Sequence, residues 1–111
     1  MAIQNTAIPG SSTPTTIYSS TGTTAVTTTI FCNTNAYNPA SPAANTIELT
    51  LHIIPSGDAR GAANMILNAL PIPAGETFTF DTEKVILENN DTMVVLADDS
   101  NLSATVSYMD V

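Results

Sequence analysis

The chain is 111 residues long and carries ten acidic side chains, two basic ones (Arg60 and Lys84), one His, one Cys and no Trp, for a formal charge of −8. That length supports a single domain with one modest core. Two cations cannot neutralise a row of phosphates, an anionic bilayer would repel the chain, and a lone thiol, Cys32, permits neither an internal disulfide nor a four-thiolate zinc site, so neither nucleic acid nor a membrane is expected as a partner.

Every charged side chain lies at Glu48 or later, and the residues before it are dominated by Thr, Ser, Asn and Ala. Residues 1–14 read as an extended N-terminal arm, because Pro9, Gly10, Ser11, Ser12 and Pro14 lock or loosen the backbone in ways that suit no regular element. Such an arm is either disordered or anchored in a neighbouring subunit through Ile3 and Ile8, since an uncharged segment loses no ion hydration on burial. It has no basic n-region and no apolar stretch of the signal-peptide kind, so the protein is expected to be made and used without crossing a membrane.

From Thr15 onward the pattern has period two and predicts one all-β domain over residues 15–111, an antiparallel sandwich or jelly roll. The expected strands are Thr15–Ser20, Thr24–Asn33, Thr46–Ile53, Ala63–Leu70, Thr77–Asp81, Lys84–Glu88, Thr92–Ala97 and Leu102–Tyr108. In the third, Ile47, Leu49, Leu51 and Ile53 share one face while Glu48, Thr50 and His52 share the other. In the last, Leu102, Ala104, Val106 and Tyr108 point inward. Residues 60–70 also fit a helical period through Ala62, Met65, Ile66 and Ala69, but the strand pattern Met65, Leu67, Ala69 and the following Pro71 favour a strand. Turn chemistry separates the strands, most clearly at Pro55-Ser56-Gly57-Asp58 and Pro73-Ala74-Gly75, and a long loop with Pro39 and Pro42 spans Asn35 to Asn45.

Catalytic signatures are missing. His52 sits on the polar face of its strand and reads as a solvent-facing or interface residue, and neither Ser41 nor Ser56 has the glycine frame of a nucleophile elbow. Lys84 follows Glu83 rather than a glycine, so no phosphate loop is present. Glu88, Asp91, Asp98 and Asp99 are expected near one end of a hairpin region, yet without the spacing of a calcium loop they read as solvated turn acids. No enzyme activity, cofactor or metal site is therefore expected. Cys32 reads as a small buried hydrophobe, Phe78 and Phe80 as core, and Tyr37 as an exposed anchor in the Pro-containing loop.

Five stretches carry a family resemblance. Ile17-Tyr18-Ser19-Ser20-Thr21-Gly22, the run from Thr24 to Asn33, Ile72-Pro73-Ala74-Gly75-Glu76-Thr77-Phe78, the run from Glu83 to Thr92, and the closing Ser103 to Tyr108 resemble small virion proteins of tailed bacteriophages, particularly those infecting cyanobacteria and other marine bacteria. The loop from Asn35 to Asn45 departs from the shorter texts of that family. The resemblance implies an all-β component of the virion, a capsid decoration or cement protein with no catalytic residues, made in the host cytoplasm. The charge pattern agrees: a neutral half can dock without ion burial while the acidic half faces water. The expectation is a homotrimer on the major capsid protein, in contact through the arm and the first two strands, with Ile3, Ile8, Ile17, Tyr18 and Tyr37 as interface residues. A neck, tail or baseplate role, or a host-surface or glycan-binding module built on Tyr37, is the alternative.

Overall fold

The computed structural model describes residues 2–80 and 85–111, so Asp81 and Lys84, which bound two of the expected strands, lie outside the described residues. The strands are β1 (Ala2–Ile8), β2 (Thr15–Ser19), β3 (Thr24–Asn33), β4 (Ile47–Ile54), β5 (Met65–Ile72), β6 (Thr77–Phe80), β7 (Val85–Leu87), β8 (Thr92–Ala97) and β9 (Leu102–Asp110). A five-stranded sheet runs β1-β9-β3-β6, with β7 also paired to β3, and a four-stranded sheet runs β2-β8-β4-β5. The strand pairings are antiparallel.

β6 pairs with Thr29–Cys32 and β7 with Thr24–Val26, so the two follow one another along the same side of β3. Counted as one interrupted strand, they turn the order into 1-8-3-6 over 2-7-4-5, the double Greek key of a jelly roll. The all-β sandwich expected from the period-two pattern is the fold.

Its core lies between the sheets. Ile47, Leu49 and Leu51 of β4, Met93 and Val95 of β8, and Leu102, Ala104 and Val106 of β9 are buried, joined by Phe31 of β3. Each larger side chain contributes about 1.5–3 kcal/mol by leaving water, and a one-residue slip of β4 would exchange three of them for Glu48, Thr50 and His52.

Three local features differ from the expectation. Residues 2–8 are extended, but they form a strand of this chain: β1 pairs with β9 from Ala2 opposite Tyr108 to Ile8 opposite Leu102. Gln4, Thr6 and Ile8 face inward there, and pairing satisfies a row of β9 backbone groups. Ala69, expected inward, is exposed with φ 51°. Leu49 faces Leu70 while Leu51 faces Leu67, so β5 carries an extra residue and its alternation is broken there. The helical alternative for residues 60–70 survives only as a 3-10 turn at Ala62–Asn64.

Candidate functional site

The outward face of the five-stranded sheet follows directly from the register. One row reads Met109, Ala25, Ile86; the next Ile3, Ser107, Thr28; then Asn5, Thr105, Ile30, Thr79; and finally Ala7, Ser103, Cys32, Thr77. No charged side chain stands on this face among the described residues, in a chain of charge −8. Among the described residues only Glu48 and Asp110 of the charged side chains stand on strands and the others lie in the connections, while β9 contributes Ser and Thr outward from the acidic half of the chain.

One end of the face is apolar. Ile3 is 67% exposed, Ile86 58% and Met109 41%, and Val111, 69% exposed, is held beside them by its N–H donating to the Thr23 carbonyl at 3.1 Å. Met109 and Ile86 flank Ala25 directly, and Ile3 lies diagonally from Met109, within reach at the ~7–8 Å of diagonal neighbours. Burying such side chains is what anchors an interface.

The five interface residues expected from the sequence are scattered. Ile3 belongs to the apolar end of the face. Ile8, Ile17 and Tyr18 are buried in the core and present no side chain to a partner. A bulge in β2, between Thr16 opposite Val94 and Tyr18 opposite Met93, places Ile17 as the extra residue and allows two consecutive side chains to be buried. β2 itself belongs to the other sheet, so the first two strands do not form one contact surface. Tyr37 is exposed, but it lies by the β5–β6 turn, near the Asn33 end of β3 and roughly 25 Å of strand away from the apolar end. Sequence reasoning passed over Ile86 and Met109; their alternation with Leu87 and Tyr108 signals an outward position, but their meeting across β3 depends on long-range register.

The second feature is a groove of about 210 Å³ on the outer face of the four-stranded sheet, lined by Glu48, Thr50 and His52 of β4, Asn68 and Ala69 of β5, and Arg60 and Asp98 from flanking loops. His52 is 1% exposed, not solvent-facing. The chain between β4 and β5 folds back over β4, stapled by Asn64, whose Nδ2 donates to the Ala59 carbonyl at 3.0 Å and whose Oδ1 accepts from Gly61 N at 3.1 Å. His52 Nδ1 is buried with no hydrogen-bond partner among the described residues. Burial, and secondarily the Arg60 guanidinium, pushes the His52 pKa below its ordinary value, favouring neutral imidazole.

The acidic turn residues are divided between the two ends of β8, roughly 20 Å apart, and not gathered at one. Asp91 accepts from Ser56 N at 2.8 Å and Glu88 N at 2.9 Å, Asp98 from Glu48 N at 3.0 Å, and Asp99 from Asn101 N at 3.0 Å. These carboxylates order the loops. Compared with known proteins, the chain matches no family model, no curated protein and no solved structure.

Proposed function

We propose that this chain is a structural protein of a tailed-bacteriophage particle, a capsid decoration protein that docks on the major capsid protein through the uncharged outer face of its five-stranded sheet and has no catalytic role. The phage setting rests on the resemblance of its strand and turn texts to small virion proteins. The docking surface rests on one observation: a face without charge among the described residues and with an apolar end, on a chain of −8.

Strand spacing and rise give the face an area on the order of 500 Å², short of the ~800 Å² per partner of a standard stable interface. A single copy therefore binds weakly. Assembly as a homotrimer engages three such faces at once, and a lattice of repeated sites supplies the avidity that one contact lacks. The jelly-roll fold fits this role but does not imply it, since the same architecture serves lectin domains and cupins.

Two measurements test the reading. Cosedimentation with purified particles is expected to be strong for the native chain and lost in the Ile86→Glu, Met109→Glu double variant, whose exposed substitutions leave stability within about 0.5 kcal/mol. Undiminished cosedimentation of a folded double variant overturns the docking face. Counting copies per particle addresses the location: a shell protein is present in high copy, whereas a count of about a dozen or fewer points to the neck, tail or baseplate.

A further inference from the structure

We infer that the groove over β4 is a binding site for a small zwitterion, a short chain carrying a carboxylate at one end and an ammonium at the other, with the carboxylate held by Arg60 beside His52 and the ammonium by Glu48 and Asp98. The site lies on the sheet opposite the docking face and does not depend on that face's role.

The groove is electrically polar along one strand. Glu48 stands at one end, its N–H tied to the Asp98 carboxylate at 3.0 Å. His52 stands four residues further on, roughly 13 Å along the strand, opposite Met65, with Thr50 between. Arg60 lines the groove from the loop that runs through Ala62–Asn64 into Met65, the residue opposite His52, which places the positive charge at that end. A bare anion would meet two carboxylates in the same groove, and a bare cation would meet Arg60. A ligand with both charges, aligned along β4, satisfies both ends.

Three further observations point to a ligand. Arg60 makes no ion pair and no side-chain hydrogen bond among the described residues, although the chain is rich in carboxylates. Its guanidinium offers a planar fork of donors matched to a carboxylate. His52 lines the groove almost completely buried, and its Nδ1 has no hydrogen-bond partner among the described residues, an exception to the rule that buried polar groups are paired. Finally, the wall opposite β4 is irregular: β5 is bulged twice against β4, and Ala69 is in the left-handed region at φ 51°, its N–H donating to Thr50 Oγ1 at 3.1 Å. Bulges and strain of this kind collect where a sheet is shaped around a site. A volume of about 210 Å³ suits a ligand of amino-acid size.

The test is an NMR titration of the full chain, read at the ring resonances of its single histidine, with 4-aminobutyrate as the probe and acetate and butylammonium as single-charge controls. Saturable shifts with 4-aminobutyrate are expected, together with a rise in the His52 pKa as a carboxylate arrives. Each control is expected to bind at least about tenfold more weakly. Arg60→Gln and Glu48→Gln alter exposed side chains and leave the fold intact, and each is expected to weaken 4-aminobutyrate several-fold. Acetate binding as tightly as 4-aminobutyrate would reduce the groove to a plain anion site and overturn the inference. So would the absence of saturable shifts with 4-aminobutyrate, or titrations of the two variants that match the native chain. Because Glu48 and Arg60 line the groove over the four-stranded sheet, whereas Ile86 and Met109 stand on the five-stranded one, loss of the ligand and loss of particle binding are separable results.

Discussion

The Asn33 side-chain amide, fully buried at the end of β3, donates to the Ile72 carbonyl at 2.8 Å and so ties the five-stranded sheet to the four-stranded one. The same Nδ2 donates to the Asn45 carbonyl at 2.8 Å, and Oδ1 accepts from Asn35 N at 3.0 Å, which fixes both ends of the long loop. One side chain thereby closes the sandwich and orders its least regular segment. Asn33→Asp keeps the size but turns an oxygen toward two carbonyls where a donor stood. It is expected to cost roughly 3 kcal/mol, seen as a lower urea midpoint. A midpoint within error of the native chain would remove Asn33 from this role.

Sequence alone specified the interior of β4 and β9, because Ile47, Leu49, Leu51, Leu102, Ala104 and Val106 alternate without interruption and any other register buries polar groups. It did not specify β1. Ala2–Ile8 has only Ile3 and Ile8 as large apolar residues, and its stability comes from backbone pairing to a strand nearly a hundred residues away. The same limit hid the functional surfaces. An outward Ile86 or Met109 is ordinary in isolation and becomes an apolar patch only when β7 and β9 flank β3. His52 looked solvent-facing because alternation gives the face of a strand, not what folds over it.

Gly10 packs where no other residue fits. A Cβ there would lie 2.8 Å from Ser100 N and 2.9 Å from the Asp99 carbonyl carbon, both backbone atoms that cannot swing aside. Ser12 N donates to the Ala97 carbonyl at 2.9 Å close by, so the β1–β2 connection is clamped onto the start of the β8–β9 loop. Gly10→Ala is expected to destabilise by about 2 kcal/mol through this overlap, whereas Gly61→Ala, where a Cβ would meet no atom of the described residues beyond its chain neighbours within 4 Å, is expected to change stability by less than about 0.5 kcal/mol. Parallel urea titrations distinguish the two, and equal midpoints would refute the clamp.

Ala69 offers a test whose sign is informative. At φ 51° an alanine carries a left-handed penalty that glycine does not, so Ala69→Gly is expected to raise stability by about 0.5–1 kcal/mol, despite the general cost of glycine in a strand. Ala69→Val, β-branched and exposed at the same site, is expected to lower it by at least 1 kcal/mol. Thermal melts of both read the difference, and stabilisation by valine would mean that the bulge does not hold that conformation in solution.

His52 makes stability depend on pH in a predictable direction. Burial, and then Arg60, lowers its pKa in the folded chain, while in the unfolded chain it titrates near the ordinary value of about 6.5. Above that pH both states are neutral and the group contributes no slope. As pH falls below it, the unfolded chain takes up a proton that the folded chain resists, so unfolding becomes easier, by at most about 1.4 kcal/mol per pH unit for one proton, until the folded pKa is reached. Carboxylates respond mainly below pH ~5, and the chain has a single histidine, so the slope between about pH 6.5 and 5 belongs chiefly to His52. His52→Gln, which keeps a polar side chain under the Arg60 loop without the titration, is expected to flatten that interval. Urea midpoints of native and variant chains at half-unit steps give the comparison, and an equal slope in both would assign the acid sensitivity to the carboxylates alone.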